Sequence, residues 1–249
     1  MIELKINAST NLKPIVIPHE HGGWAMVSVP FLVGVAASSP QWLHVPLFIA
    51  WLGLYLTAYP LLQSLKRNAN RHRLYTWAAI YGTVALVCLI PAVVGQSSLL
   101  WFGPMLVGLL LVNIWHVRHK AERSLTNDLC AMLVFSLGGA AAYLIGSGEW
   151  DYGMLIVVLF SFLHFTGSTF FVKSVFRERN NPRWIRLSRL VHVILLFIPA
   201  IVGYPWMGLA FVYSAARAFR YAGQTLRPMK VGIIEIIGAV QFLLWFILL

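Results

Sequence analysis

Long apolar runs recur along the whole chain, separated by short polar or charged interruptions. Each run is apolar on all sides rather than along one stripe, so a helix formed there has no face suited to water. Runs of roughly 17 or more residues are long enough for a helix to cross the hydrocarbon core of a bilayer. Strands of a membrane barrel would be about ten residues long and would alternate apolar with polar. The pattern predicts about nine helices: Gly22 to Ser38, His44 to Leu65, Leu74 to Val94, Leu99 to His116, Asn127 to Ile145, Tyr152 to Val175, Leu187 to Gly203, Trp206 to Tyr221 and Val231 to Leu249. Only the turn Gly203-Tyr204-Pro205 divides the seventh from the eighth, so one long broken helix is the alternative there. The expected fold class is all-α, a polytopic transmembrane helical bundle. Residues 1–21 form a cytoplasmic N-terminal segment in this reading, and residues 22–249 a single transmembrane domain.

Composition agrees. Of 249 residues, 59% are hydrophobic and only 11% charged, where a soluble domain carries roughly 25% charged residues. The mean hydropathy is +0.75. The net charge of +11 would suit a nucleic-acid partner, but its placement argues against one. Counting adjoining helix ends, all 19 Lys and Arg fall in the N-terminal segment or in the connections 2–3, 4–5, 6–7 and 8–9. The other connections hold none, and their acids are Glu149 and Asp151. The positive-inside rule then puts the N-terminus in the cytoplasm, Leu249 at the far face, and the chain in the inner (plasma) membrane with membrane lipids as its partners. The first 18 residues lack the apolar core and cleavage site of a signal peptide. Cys88 and Cys130 sit inside apolar runs, where they read as small core residues with no disulfide implied.

Two basic loops echo each other. SLKRNANRHRLYTW from Ser64 and SVFRERNNPRWIRL from Ser174 align at an offset of 110, pairing Ser64 with Ser174, Arg67 with Arg177, Asn70 with Asn180 and Arg73 with Arg183. Chance matching in loops rich in Arg and Asn is one account. A duplicated four-helix unit followed by a ninth helix is the other. Residues three apart are near neighbours on a helix, so each set predicts a polar stripe at a helix end, with Pro182 stopping the second helix. Two stripes facing each other would make a cationic, amide-rich pocket. Topology alone accounts for Lys and Arg in these loops. Asn gains nothing from the positive-inside rule, and helix capping is its plain account.

The opening IPHEHGGWAMVSVPFLVGV, from Ile17 to Val35, resembles the start of the YwiC-like family of bacterial membrane proteins. The resemblance rests on EHGGWAM at Glu20 to Met26, then Pro30 and Gly34. It implies a membrane location and no particular reaction. The helix count, the orientation and the polar loops after helices 2 and 6 also resemble the UbiA-type prenyltransferases. That likeness implies two four-helix halves plus one helix, and an isoprenyl diphosphate held through Mg²⁺ by Asp-rich motifs at the ends of helices 2 and 6. Those motifs are missing. Between Tyr59 and Tyr75 there is no Asp or Glu, and the second loop has only Glu178. In their place stand Gln63, Arg67, Asn70 and Arg71, then Lys173, Arg177, Asn180 and Asn181. Mg²⁺ wants carboxylate oxygens. Guanidinium forks and amides can hold a phosphate directly, but the metal's help to a leaving group is then lost. The residues therefore point to a site for a phosphorylated isoprenoid or other anionic amphiphile with no cofactor, and away from metal-dependent prenyl transfer.

Further candidates carry plainer alternatives. Glu20 and His21, with His19, could ligate a metal or move protons, but adjacent residues converge on one ion only across a turn. Glu20 otherwise suits the positive end of helix 1. Asp128 follows Asn127 at the start of helix 5, as a dipole partner or as the rim of the pocket. Arg71 and Arg73 complete the first basic loop, and Lys173 and Arg183 the second. Glu235, about one turn into helix 9, predicts an ion pair with Arg217 or Arg220, or a proton-coupled role. His164 lies deep in helix 6, as a hydrogen-bonded core residue or as a relay. A small-solute or proton-coupled transporter and a structural subunit of a membrane complex are the alternative functions.

Overall fold

A computed structural model describes residues 15–18, 21–66 and 69–248. Glu20 and Arg67, the side chain of His21, and Lys5, Lys13 and Leu249 lie outside the described residues. Nine α-helices follow in order: α1 (His21–Ala36), α2 (His44–Ser64), α3 (Arg71–Gly95), α4 (Phe102–Arg118), α5 (Leu125–Ser147), α6 (Tyr152–Val175), α7 (Pro182–Ile201), α8 (Leu209–Tyr221) and α9 (Pro228–Leu248). Short 3₁₀ turns at Ser97–Trp101 and Pro205–Gly208 lead into α4 and α8. The chain is an all-α multi-pass membrane protein, with seven helices long and apolar enough to cross a bilayer.

The two shorter helices, α1 and α8, have 16 and 13 residues. Before α1, residues 15–18 run into the bundle beside α3. Arg73 Nη2 donates to the Ile15 carbonyl at 3.3 Å, and the Tyr81 hydroxyl to that of Val16 at 3.1 Å. Trp51 Nε1, well down α2, donates to the Val27 carbonyl at 3.2 Å. At 1.5 Å of rise per residue this starts α1 about 10 Å inside the rim where α2 ends. Residues 15–18, which are not helical, lie beside α3 within that first part of the crossing.

The four connections rich in Lys and Arg meet at one end of the bundle. Lys66 pairs with Glu122 at 2.8 Å, Lys173 Nζ donates to the Arg123 carbonyl at 2.9 Å, and Gly223 N donates to the Ser174 carbonyl at 3.1 Å. The other connections join at the opposite end. Gln96 Nε2 donates to the Gly148 carbonyl at 3.0 Å, and Tyr152 Oη to the Val202 carbonyl at 3.3 Å. The separation of charge seen in the sequence is thus a separation in space.

At the centre, α5 packs against α1. The segment Ser136 to Ile145 is buried without a break. Gly34 and Gly139 lie where a Cβ would overlap the facing backbone, so the two helices touch main chain to main chain. In α5 and α6, 61% of the most apolar window is buried, against 17% in α3 and 11% in α4, which marks the last two as the lipid-facing rim.

Several boundaries shift from expectation for local reasons. α3 begins at Arg71 because Asn70 caps it, its side chain accepting from Arg73 N at 3.3 Å. α7 begins at Pro182 because Asn181 accepts from Arg183 N and Trp184 N, at 3.1 and 3.3 Å. Pro182 therefore opens α7 and does not stop α6; its missing N–H is no loss at a first helical position. α7 and α8 are separate helices.

Candidate functional site

The basic ends of α2 and α3, with the segment Ile15–Ile17, enclose a recess of about 440 Å³. Tyr59, Gln63, Lys66, Asn70 and Arg73 line its polar side, and Ile15, Ile17 and Leu74 its apolar side. The arginines here lie in the first turn of α3, against the helix dipole, with no acidic residue in that turn. Lys66 spends one of its three N–H donors on Glu122, and Arg73 donates to the Ile15 carbonyl. Arg71 is exposed at the outer edge.

The second stripe does not face the first across this recess. Lys173 pairs with Asp128 at 2.7 Å, and Arg177 Nη1 donates to the Arg123 carbonyl at 3.4 Å. Asn180 and Arg183 stand exposed, and Glu178 accepts from Asn181 Nδ2 at 2.8 Å. Each basic loop instead grips the α4–α5 connection, the first through Lys66–Glu122 and the second through Lys173 and Arg177 on the Arg123 carbonyl, with Lys173 also paired to Asp128 in the first turn of α5. That connection is more than a topological anchor. Ser124, not Asn127, caps α5, accepting from Asn127 N at 3.2 Å, and Asn127 turns back to the Glu122 carbonyl at 2.9 Å. Asp128 is thereby a partner of Lys173. His116, buried beneath, bonds Thr126 Oγ1 at 3.0 Å.

A second polar group lies inside the bundle among α6–α9. Arg217 is 2% exposed; it pairs through Nη1 with Glu235, donates through Nη2 to Ser168 Oγ at 2.9 Å, and sits 5.0 Å over the ring of Phe171. Of the two arginines expected for Glu235, the partner is Arg217; the guanidinium of Arg220 lies over Tyr221. Gly238 leaves room for Arg217, since a Cβ there would lie 3.2 Å from Nη1. His164 is fully buried but, against expectation, has no hydrogen bond; its ring stacks on Phe242 at 4.2 Å and 17°. His192, from α7, is equally buried and bonds through Nδ1 to the Ser188 carbonyl at 2.7 Å.

Sequence reasoning named Arg217 as a partner for Glu235 but passed over Ser161, Ser188, His192 and Ser214 as members of this group. A signal was present on α6, where Ser161, His164 and Ser168 recur on one helical face. The same spacing joins Ser188 to His192 on α7 and Ser214 to Arg217 on α8; which of these faces meet was not legible.

Comparison with known proteins places the chain. The profile described as YwiC-like protein matches residues 17–143. "Uncharacterized protein YwiC" of Bacillus subtilis (strain 168) is 38% identical over 228 residues, 92% of this chain and 95% of that protein. An "Uncharacterized protein" of Haemophilus influenzae is 35% identical over 231 residues, covering 92% and 97%. No solved structure matches, so the UbiA-type likeness rests on helix number and order alone. The match along nearly the full length of both relatives shows that the chain belongs to the YwiC-like family.

Proposed function

We propose that this protein binds an anionic amphiphile, with a phosphorylated isoprenoid as the fitting chemistry, at the basic ends of α2 and α3. The observation that carries this reading is the recess of about 440 Å³ with two unlike walls. Lys66, Arg73, Asn70 and Gln63 offer cations and amides to a phosphate, while Ile15, Ile17 and Leu74 offer an apolar edge toward the lipid. None of the described lining side chains is a carboxylate, so the head is held directly by N–H donors. Lys173, Arg177 and Arg183 extend the same basic face beyond the α4–α5 connection and draw anionic headgroups toward it. The positive-inside rule puts this face in the cytoplasm of a plasma-membrane protein. We also read the order of elements as a four-helix unit used twice, followed by α9. Ser64 and Ser174 each donate to the carbonyl three residues back at 2.6 Å, and a 3₁₀ turn precedes both α4 and α8. The cap equivalent to Asn70 is then Asn181, one residue past Asn180, because α6 runs one residue beyond Ser174 whereas α2 ends at Ser64.

The test is lipid analysis of the purified protein by mass spectrometry. An anionic lipid that copurifies with the wild type should fall at least tenfold in Lys66→Ala/Arg73→Ala. Vesicles containing polyprenyl phosphate should compete for the site, and free inorganic phosphate should not. An unchanged lipid profile in the double variant would sink the reading.

A further inference from the structure

Of the nine polar side-chain atoms on α6, α7 and α8 that are buried without a hydrogen-bond partner among the described residues, seven are Ser161 Oγ, both ring nitrogens of His164, Ser188 Oγ, His192 Nε2, Ser214 Oγ and Arg217 Nε. They belong to one region. Ser161, His164 and Ser168 share a face of α6. His192 Nε2 lies against that helix at Gly167, where a Cβ would be 3.4 Å away. Arg217 reaches Ser168 from α8. On α9, Glu235, Gly238 and Phe242 follow at helical spacing, meeting Arg217 with the first two and His164 with the third. Folded proteins give buried polar atoms a partner from protein or water. Ionisable groups inside a membrane bundle mark proton or substrate paths.

We propose that this cluster is a proton-binding relay, connected to the basic face and closed toward the opposite one. Glu235 stands at its mouth; its side chain is 14% exposed, against 1% for Arg217. A neutral His192 carries its proton on Nδ1, where it donates to the Ser188 carbonyl, so Nε2 presents a lone pair. A hydronium ion at the basic face hands its proton through bound water to that nitrogen. An O–H bond breaks, an N–H bond forms, water is the product and no electron moves. His164, which carries ring nitrogens bonded to no protein group, is the next acceptor. The charged and titratable groups around the pair are Arg189 and His192 on α7, Tyr213 and Arg217 on α8 and Glu235 on α9. Neither α1 from Gly22 to Ala36 nor α5 beyond Asp128 adds a charge. Beyond Ser161 the core turns aromatic. Phe160 lies 6.3 Å from Phe211 and 6.1 Å from Phe246, and Phe242 lies 5.9 Å from Phe211 and 5.3 Å from Phe246, ring to ring. This apolar layer stops the relay short of the far face.

The experiment reads proton influx into phosphatidylethanolamine–phosphatidylglycerol vesicles holding the full chain and internal pyranine, driven by a valinomycin–K⁺ potential. Wild type should match protein-free vesicles. Phe160→Ala should raise the rate at least tenfold, and Phe160→Ala/His164→Phe, which keeps a ring on Phe242, should bring it back to within twofold of wild type. If Phe160→Ala does not elute as a folded species, Phe211→Ala is read the same way. Wild-type flux above the protein-free level, no gain in the opened variant, or a gain that survives His164→Phe would each overturn the proposal.

Discussion

Asparagine and arginine do different work in loops that look alike. Asn70 and Asn181 are helix caps, each accepting from backbone N–H groups that no carbonyl can reach. Asn180, the residue paired with Asn70 by sequence offset, is exposed. We expect Asn70→Ala and Asn181→Ala each to lower unfolding stability by about 1 kcal/mol, and Asn180→Ala to be neutral, in thermal melts of the detergent-purified protein. Equal losses for Asn180 and Asn181 would contradict the assignment. Deeper in the bundle, Glu235 neutralises a guanidinium that is almost wholly buried. Removing one partner leaves a buried charge alone, which costs about 3–5 kcal/mol. Glu235→Ala should therefore destabilise strongly, and Glu235→Ala with Arg217→Met should recover much of the loss. A double variant as unstable as the single one would argue against the pair.

At the scale of elements, the apolar runs all look fit to cross a membrane, yet they differ in what they touch. α5 and α1 meet backbone to backbone at Gly34 and Gly139, whereas a side chain added at Gly108 in α4 meets no neighbour. Gly34→Leu or Gly139→Leu should force the central helices apart and abolish the monodisperse peak in size-exclusion chromatography. Gly108→Leu should leave that peak unchanged. The small residues of LGGAAAYLIGSG in α5 permit close packing. They did not announce which helix would be the neighbour. The start of α1 was legible to within one residue, Gly22 expected against His21, but the seating of Ile15 and Val16 against α3 was not.

Across the whole molecule, two ends with opposite chemistry predict a fixed orientation. In a chain whose native cysteines are replaced (Cys88→Ala, Cys130→Ala), Ser97→Cys should react with an impermeant maleimide added to intact cells. Lys120→Cys should react only after the membrane is opened. The reverse result would place the basic face outside. The same two ends bear on the candidate sites. The recess between α2 and α3 opens at the basic end, and the α6–α9 polar group reaches inward from that end as far as Ser161.

Helix number, membrane class and the sorting of every cation to one end were legible from residue type and order. They follow from local rules, in which apolar length sets a span and Lys or Arg resists translocation. Much of the first basic loop was legible too, because Gln63, Lys66, Asn70 and Arg73 lie within three helical turns of one another. Packing settled what no local rule could. Whether the two basic stripes oppose each other depends on α2 and α6 being brought together. They are held apart instead, one fastened by an ion pair to Glu122 in the α4–α5 connection and the other by an ion pair to Asp128 in the first turn of α5. The inner polar group is non-local in the same way. Ser168, His192, Arg217 and Glu235 sit on four helices, and no local rule says which of their faces meet. In an apolar chain the lipid-facing and core-facing sides are nearly alike in composition. Which side carries His192 or Arg217 inward is therefore decided by the shape of the neighbouring helix, such as the gap left at Gly238, rather than by hydrophobic pattern.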